Sequence, residues 1–409
     1  MDPGRATMDL LLISIDSLRL DHAGRASNSR VLTPRFDRAT EGFAFSERFF
    51  SVSSATRPVH SSLVTGLYPF EHGIQGQQDG RLRQGAPRLF RQCVDRGMEV
   101  GLFSEAAPIF AGLDLGAPLR PLEPEAGSGL AEVRRWREAA ADAGHRCLFL
   151  HYWSAHTPYG ASDGMALGET ATLLREGRLE EVEGRYRIAV EDVFENKVAP
   201  LLERLDLSRC AVLLFGDHGE SWTPDELYHG TTVRNSVLRV PLYLHVPYHG
   251  NLLTEGTGVT SIIDLYATIC GLLGLRREDE GFGVDLLDPA AITASGYRLA
   301  EIRPGTDAAD DERLLIVPAT GTESSSLLRW CVFDDRHRLH GENEEWRLEA
   351  QWTEKAIDTD VATRAAPCLA AREGFISGSN WTQRPLEDDK MSTAEQDALR
   401  RRLQALGYL

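Results

Sequence analysis

Short apolar runs without polar alternation constrain this chain most. Asp9–Ile15 (DLLLISI), Glu99–Ser104, Arg146–Trp153 (which contains His151), Cys210–Phe215 and Val240–Val246 all have this character. A strand with one wet face alternates apolar and polar residues. A strand covered on both faces does not, and such strands belong to parallel sheets with helices on either side. Helix candidates lie between the runs, at Pro87–Arg96, Leu130–Ala143, Tyr186–Leu205 and Thr260–Leu273. Strand-helix alternation predicts a doubly wound, mostly parallel α/β sheet.

The last hundred residues follow a different pattern. Leu327–Phe333 and Glu345–Trp352 read as antiparallel strands, with the turn-rich DDRHRLHGEN between them. Ser392–Leu409 reads as a terminal helix, opened by a capping box of Ser392 and Glu395. The expected organisation is a large α/β domain over residues 1–305 and a small α+β annex over 306–409.

Composition narrows the partners. The formal net charge is −17, and a field of that sign repels nucleic-acid backbones and anionic lipid surfaces. No nucleic acid and no membrane is expected as a partner. A small anionic molecule can still bind where a metal or a local Arg/His cluster inverts the field. The six cysteines are scattered, with no CxxC pair. Buried thiols in a reducing compartment are the expected state. The opening MDPGRATMDLLLISID has no signal-peptide pattern. The expectation is a cytoplasmic protein, and oligomeric state is not legible.

In open α/β sheets, ligands bind off the carboxyl ends of the strands. Asp16 follows the first apolar run, Glu105 the second and His156 the third. Gly216-Asp217-His218-Gly219-Glu220 follows the fourth, and His229 lies a short loop beyond. Two carboxylates and an imidazole suit one divalent ion, Mn²⁺ or Zn²⁺ rather than Ca²⁺ or Mg²⁺. The segment TRPVHSSLVTG, from Thr56 to Gly66, reads as a helix with Thr56 at its N-terminus. A hydroxyl there is either a plain cap or a nucleophile attacking an anion held by the helix end.

Taken together, these motifs resemble the sulfatase-like branch of the alkaline phosphatase superfamily. LLISIDSLRLDH resembles its opening strand with a metal-binding Asp, and TRPVHSSLVTGLYPFEHGI its nucleophile helix. FLHYWSAHTPY is similar to a segment with a substrate-contacting His, and LLFGDHGE to the second metal motif. HGTTVRNSVLRVPLYLHVP and SIIDLYATICGLLGL resemble the segments that follow, as does the closing LQALGYL. The likeness spans about residues 9–275 and is weak beyond. It implies an alkaline-phosphatase-like fold with Asp16, Asp217, His218 and the nucleophile Thr56 on one metal ion. His156 and His229 fall on positions that touch the transferred group or the leaving oxygen. His60 falls on the position of the sulfatase signature's Arg, and Arg57 is a candidate for the substrate anion.

Two departures from the family bear on the chemistry. Sulfatases carry a Cys or Ser that becomes formylglycine; here the frame reads Thr56-x-Pro58-x-His60. Thr cannot form that aldehyde, and a Thr sulfate lacks the hydrate's exit route. A phospho-Thr can be attacked at phosphorus by water or an alcohol. Ser17 stands where many sulfatases have a second Asp that helps bind Ca²⁺. The expected function is a metal-dependent hydrolase or transferase acting on a phosphate or phosphonate ester. The alternatives are a sulfuric ester hydrolase without formylglycine, and an inactive binding protein of the same fold.

Overall fold

The computed structural model describes residues 8–77, 79–122, 129–138, 146–160, 169–223, 226–249, 258–278, 281–304 and 327–387. The strands in chain order are β1 (Asp9–Ile15), β2 (Ala44–Phe50), β3 (Glu99–Ser104), β4 (Leu119–Pro121) and β5 (Arg146–Tyr152). Next come β6 (Cys210–Gly216), β7 (Ser221–Thr223), β8 (Glu226–Tyr228), β9 (Arg239–His245) and β10 (Thr260–Ser261). The last are β11 (Arg298–Ile302), β12 (Arg329–Phe333), β13 (His337–Glu342) and β14 (Glu345–Ala350). The main sheet has eight strands in the order β10-β2-β9-β6-β1-β5-β3-β4.

The side chains of β1 explain its unbroken apolar run. Leu10 and Leu12 enter the core on one face of the sheet. Leu11, Ile13 and Ile15 enter the core on the other. In β6, Ala211, Leu213 and Phe215 face the first core, while Val212 and Leu214 face the second. With both faces dry, polar alternation would bury unpaired groups. β1 sits between β5 and β6, parallel to both.

Parallel pairing extends through β3 and β4. β9 is the exception: it runs antiparallel to β6 and to β2. Val240–Val246, expected as one more buried strand, is therefore β9, reversed and shifted by one residue. β2 was not foreseen. Ser46, Glu47 and Arg48 break its apolar pattern, and its pairing with β9 shifts register between Ser46 and Phe49.

The small antiparallel sheet runs β11-β12-β13-β14. Its first strand comes from the segment before residue 305. The stretch DDRHRLHGEN, expected as a turn, contains β13. That strand pairs with both neighbours and buries Arg338, Leu339 and His340. A long helix, Val361–Gly378, packs nearby with Pro367 inside it; the sequence reading did not find it. The expected terminal helix Ser392–Leu409 lies outside the described residues. No helix among the described residues is long and apolar enough to cross a membrane. None of the six cysteines forms a disulfide.

Candidate metal and nucleophile centre

The carboxyl ends of β1 and β6 bring Asp16 and Asp217 together. Both are fully buried, as is His218. Possible ligand atoms of Asp16, Asp217 and His218 all lie within 4.8 Å of one another. Asp217 Oδ1 accepts the backbone N–H groups of Ser17 (3.1 Å) and His218 (2.7 Å). Its Oδ2 is buried with no hydrogen-bond partner. The His218 Nδ1–H donates to the Gly219 carbonyl at 3.0 Å, so Nε2 keeps its lone pair. An orphaned carboxylate oxygen beside an imidazole lone pair is the donor set a divalent ion would complete.

Ser17 serves both carboxylates. Its hydroxyl donates to Asp16 Oδ1 at 2.9 Å while its amide holds Asp217. Its φ of 55° lies in the left-handed region, uncommon for a residue with a Cβ. That conformation costs of order 1 kcal/mol, held by the hydrogen bonds around it.

The helix Thr56–Thr65 ends at Gly66, whose φ of 72° suits glycine. A Cβ there would sit 2.4 Å from the Tyr266 ring. Its N-cap is Ala55, and no side chain caps it. Thr56 is thus the first helical residue, which corrects the plain-cap reading. Its hydroxyl instead donates to Asp16 Oδ2 at 3.2 Å and lies 3.3 Å from His218 Nε2.

The charges on the two carboxylates separate. Burial works against charge on Asp16, yet the imidazoles of His156, His151 and His218 hold it well below the usual carboxylate range. Burial, together with the Asp16 charge, pushes Asp217 well above that range. Without a cation, the two buried carboxylates therefore resist carrying charge together.

His156 and His229 both reach this centre. Their rings meet at 4.8 Å, and the rings of His229 and His218 at 4.4 Å. His156 Nδ1–H donates to the Thr157 carbonyl at 2.6 Å, and Trp153 stacks on its ring. Burial drives the His156 pKa down to about 4, against the pull of Asp16. His229 Nδ1 lies 3.1 Å from Glu220 Oε1, and Tyr159 donates to Glu220 Oε2 at 3.0 Å. Glu220 and His229 flank the β7–β8 hairpin, and the Gly230 amide donates to the Ser54 carbonyl beside the Thr56 helix.

Three other residues support the surroundings of the centre, His60 with its Nδ1 4.0 Å from Asp217 Oδ2. The Arg57 guanidinium donates to the carbonyls of Asp79, Ile109 and Ala111. Arg57 is buried, and burial lowers its pKa to about 10. Through these bonds Arg57 anchors two loops. His60 lies one turn further along the helix from Thr56, its Nδ1–H donating to the Thr56 carbonyl at 2.8 Å. Its Nε2 is 3.0 Å from the Ser14 hydroxyl. Glu105 accepts the amides of Trp153 (2.8 Å) and Ser154 (3.0 Å) and pairs with Lys197, steadying the loop that carries His156.

Sequence reasoning did not single out His151, Ser104, Glu220 or Tyr159 as working residues. A faint signal existed for the first two. Ser14, His151 and Ser104 are polar residues at matched register on β1, β5 and β3.

With this geometry described, comparisons identify the fold. The type I phosphodiesterase / nucleotide pyrophosphatase family profile matches residues 10–88. No curated protein matches the sequence. Among solved structures, a 2-O GAG sulfatase is 12% identical with a TM-score of 0.67, covering 94% of this chain and 95% of its own. A phosphonate monoester hydrolase of Agrobacterium radiobacter is 17% identical with a TM-score of 0.63, covering 90% and 95%. Another phosphonate monoester hydrolase, from Silicibacter pomeroyi, is 14% identical with a TM-score of 0.64, covering 90% and 95%.

Proposed function

We propose that this chain, which has the alkaline-phosphatase-like fold of the sulfatase-like branch, is a metal-dependent hydrolase or transferase acting on a phosphate or phosphonate ester. One observation carries the reading: the Thr56 hydroxyl, at a helix N-terminus, turns to Asp16 and His218 instead of capping. Asp16, Asp217, His218 and Thr56 would hold a single Mn²⁺ or Zn²⁺. When bound, such an ion supplies Lewis-acid charge beside the nucleophile.

The Thr56 hydroxyl oxygen attacks phosphorus, forming the Oγ–P bond as the bond to the leaving oxygen breaks. Asp16 Oδ2 accepts the hydroxyl hydrogen in the resting state. The N-terminal amides of the helix favour the phosphoryl oxygens. His156 and His229, uncharged at rest, take up the proton that Thr56 gives up and pass it to the departing oxygen. Water or an alcohol then releases the phosphoryl group from Thr56. The substrate is a small anionic ester. The absence of disulfides among six cysteines fits work in a reducing, cytoplasmic setting.

The test compares folded Thr56→Ala and Thr56→Ser with the wild type on phosphomonoesters, phosphodiesters, phosphonates and sulfate esters. Acid-quenched wild type is examined by mass spectrometry for a phosphate adduct on Thr56. Thr56→Ala should lose several powers of ten in turnover, and Thr56→Ser should keep part of it. An Ala variant near the wild-type rate would remove the nucleophile. Turnover of sulfate esters alone would favour the sulfuric ester reading, and no turnover at all the binding protein.

A further inference from the structure

The geometry points to Ser104 and His151 as a relay that positions Asp16: Ser104 fixes the tautomer of His151, and His151 holds the second oxygen of the carboxylate. This rests on the proposed metal centre and adds to it a residue pair outside the ligand set.

The polarity of the chain can be followed atom by atom. The Ala106 amide donates to Ser104 Oγ at 3.0 Å. Ser104 Oγ lies 2.8 Å from His151 Nδ1, where its one hydroxyl proton finds an acceptor. His151 then carries its hydrogen on Nε2. That nitrogen is buried, makes no well-aligned hydrogen bond, and lies 3.3 Å from Asp16 Oδ2. Asp16 Oδ1 already accepts from Ser17. Both oxygens of one metal ligand are thus addressed by donors from different elements, which limits how the carboxylate can rotate.

The ring has little room for another role. Phe110 meets it edge-on at 5.1 Å, and His60 at 5.2 Å. The rival reading makes His151 a ligand of a second ion with His60 and Asp217, since possible ligand atoms of those three also lie within 4.8 Å. The hydrogen bonds oppose it. Both His60 nitrogens have partners in Thr56 and Ser14, and an Nε2 that carries hydrogen has no lone pair in the ring plane to give.

The experiment titrates full-length wild type, His151→Gln, His151→Leu and Ser104→Ala with Mn²⁺ alone, by calorimetry, with circular dichroism to verify folding. His151→Leu should weaken Mn²⁺ binding by about 10- to 100-fold. His151→Gln offers an amide N–H near the same place and should stay within about threefold, against the tenfold floor for losing such a partner. Ser104→Ala should fall between them. A second measurement needs no variant to bind metal. In ¹⁵N-histidine spectra of metal-free wild type, the resonance absent from His151→Gln should report hydrogen on Nε2.

Hydrogen on Nδ1, unchanged Mn²⁺ affinity in folded His151→Leu, or two ions in wild type with one lost in that variant would each overturn the relay. If wild type binds no Mn²⁺, the metal centre fails as a reading, and the tautomer still decides the relay. If His151→Leu does not fold, Ser104→Ala and the spectra decide it.

Discussion

At the scale of single residues, the centre depends on which oxygens are already occupied. Asp217 spends Oδ1 on two amides and leaves Oδ2 for a ligand. Burial and the neighbouring Asp16 charge push the Asp217 pKa up while no cation is present. Mn²⁺ binding should therefore release protons, and affinity should fall as pH falls. Calorimetry in two buffers of different ionisation enthalpy measures the release. Asp217→Asn keeps an oxygen for the two amides but not the charge. It should bind Mn²⁺ at least about 100-fold more weakly, without that release, and lose turnover while remaining folded. Asp16, Asp217 and His218 were legible because each directly follows an apolar run. His151 was not, because inside a buried strand an imidazole occupies the place of a Leu. Only the serine partners of His151 and His60, distant in sequence, reveal that these rings are oriented.

At the scale of elements, one carboxylate joins two sheets through a helix. Asp264 lies in the first turn of the helix Ile262–Leu273. Its Oδ2 accepts the Ser261 amide at 2.7 Å and the Arg298 guanidinium at 3.0 and 3.1 Å. Arg298 opens β11 and is almost wholly buried. Removing the charge strands a buried guanidinium, which typically costs about 3–5 kcal/mol. Asp264→Asn should lower the urea midpoint accordingly, while Arg303→Lys, with its side chain on Gln75, should change it far less. The strands of the large sheet were legible because dry faces leave no polar residues in them. β13 was not, because its buried Arg338 looks like a loop residue. Only the fold supplies partners for that side chain, from Asn235, Glu354 and the Val233 carbonyl.

At the scale of the whole molecule, several imidazoles are folded away uncharged. Burial drives His60 and His72 down to about 3 and His156 to about 4. Unfolded, each titrates near 6.5. Between those values the unfolded chain holds more protons, so acid favours unfolding. The imidazoles' share of the stability should fall as pH drops below about 6.5 and keep falling towards 4. Urea midpoints at a series of pH values read this out, and His72→Gln should flatten the slope. The position of β1 bears on synthesis. It lies at the middle of the sheet, between β5 and β6, both far downstream in the chain. A nascent chain lacks both native neighbours of β1 until residue 146 emerges, and lacks the second before residue 210. Through that interval Leu10 to Ile15 form a bare, aggregation-prone segment on the ribosome. Chaperone demand in this protein therefore spans the interval between the synthesis of β1 and that of β6.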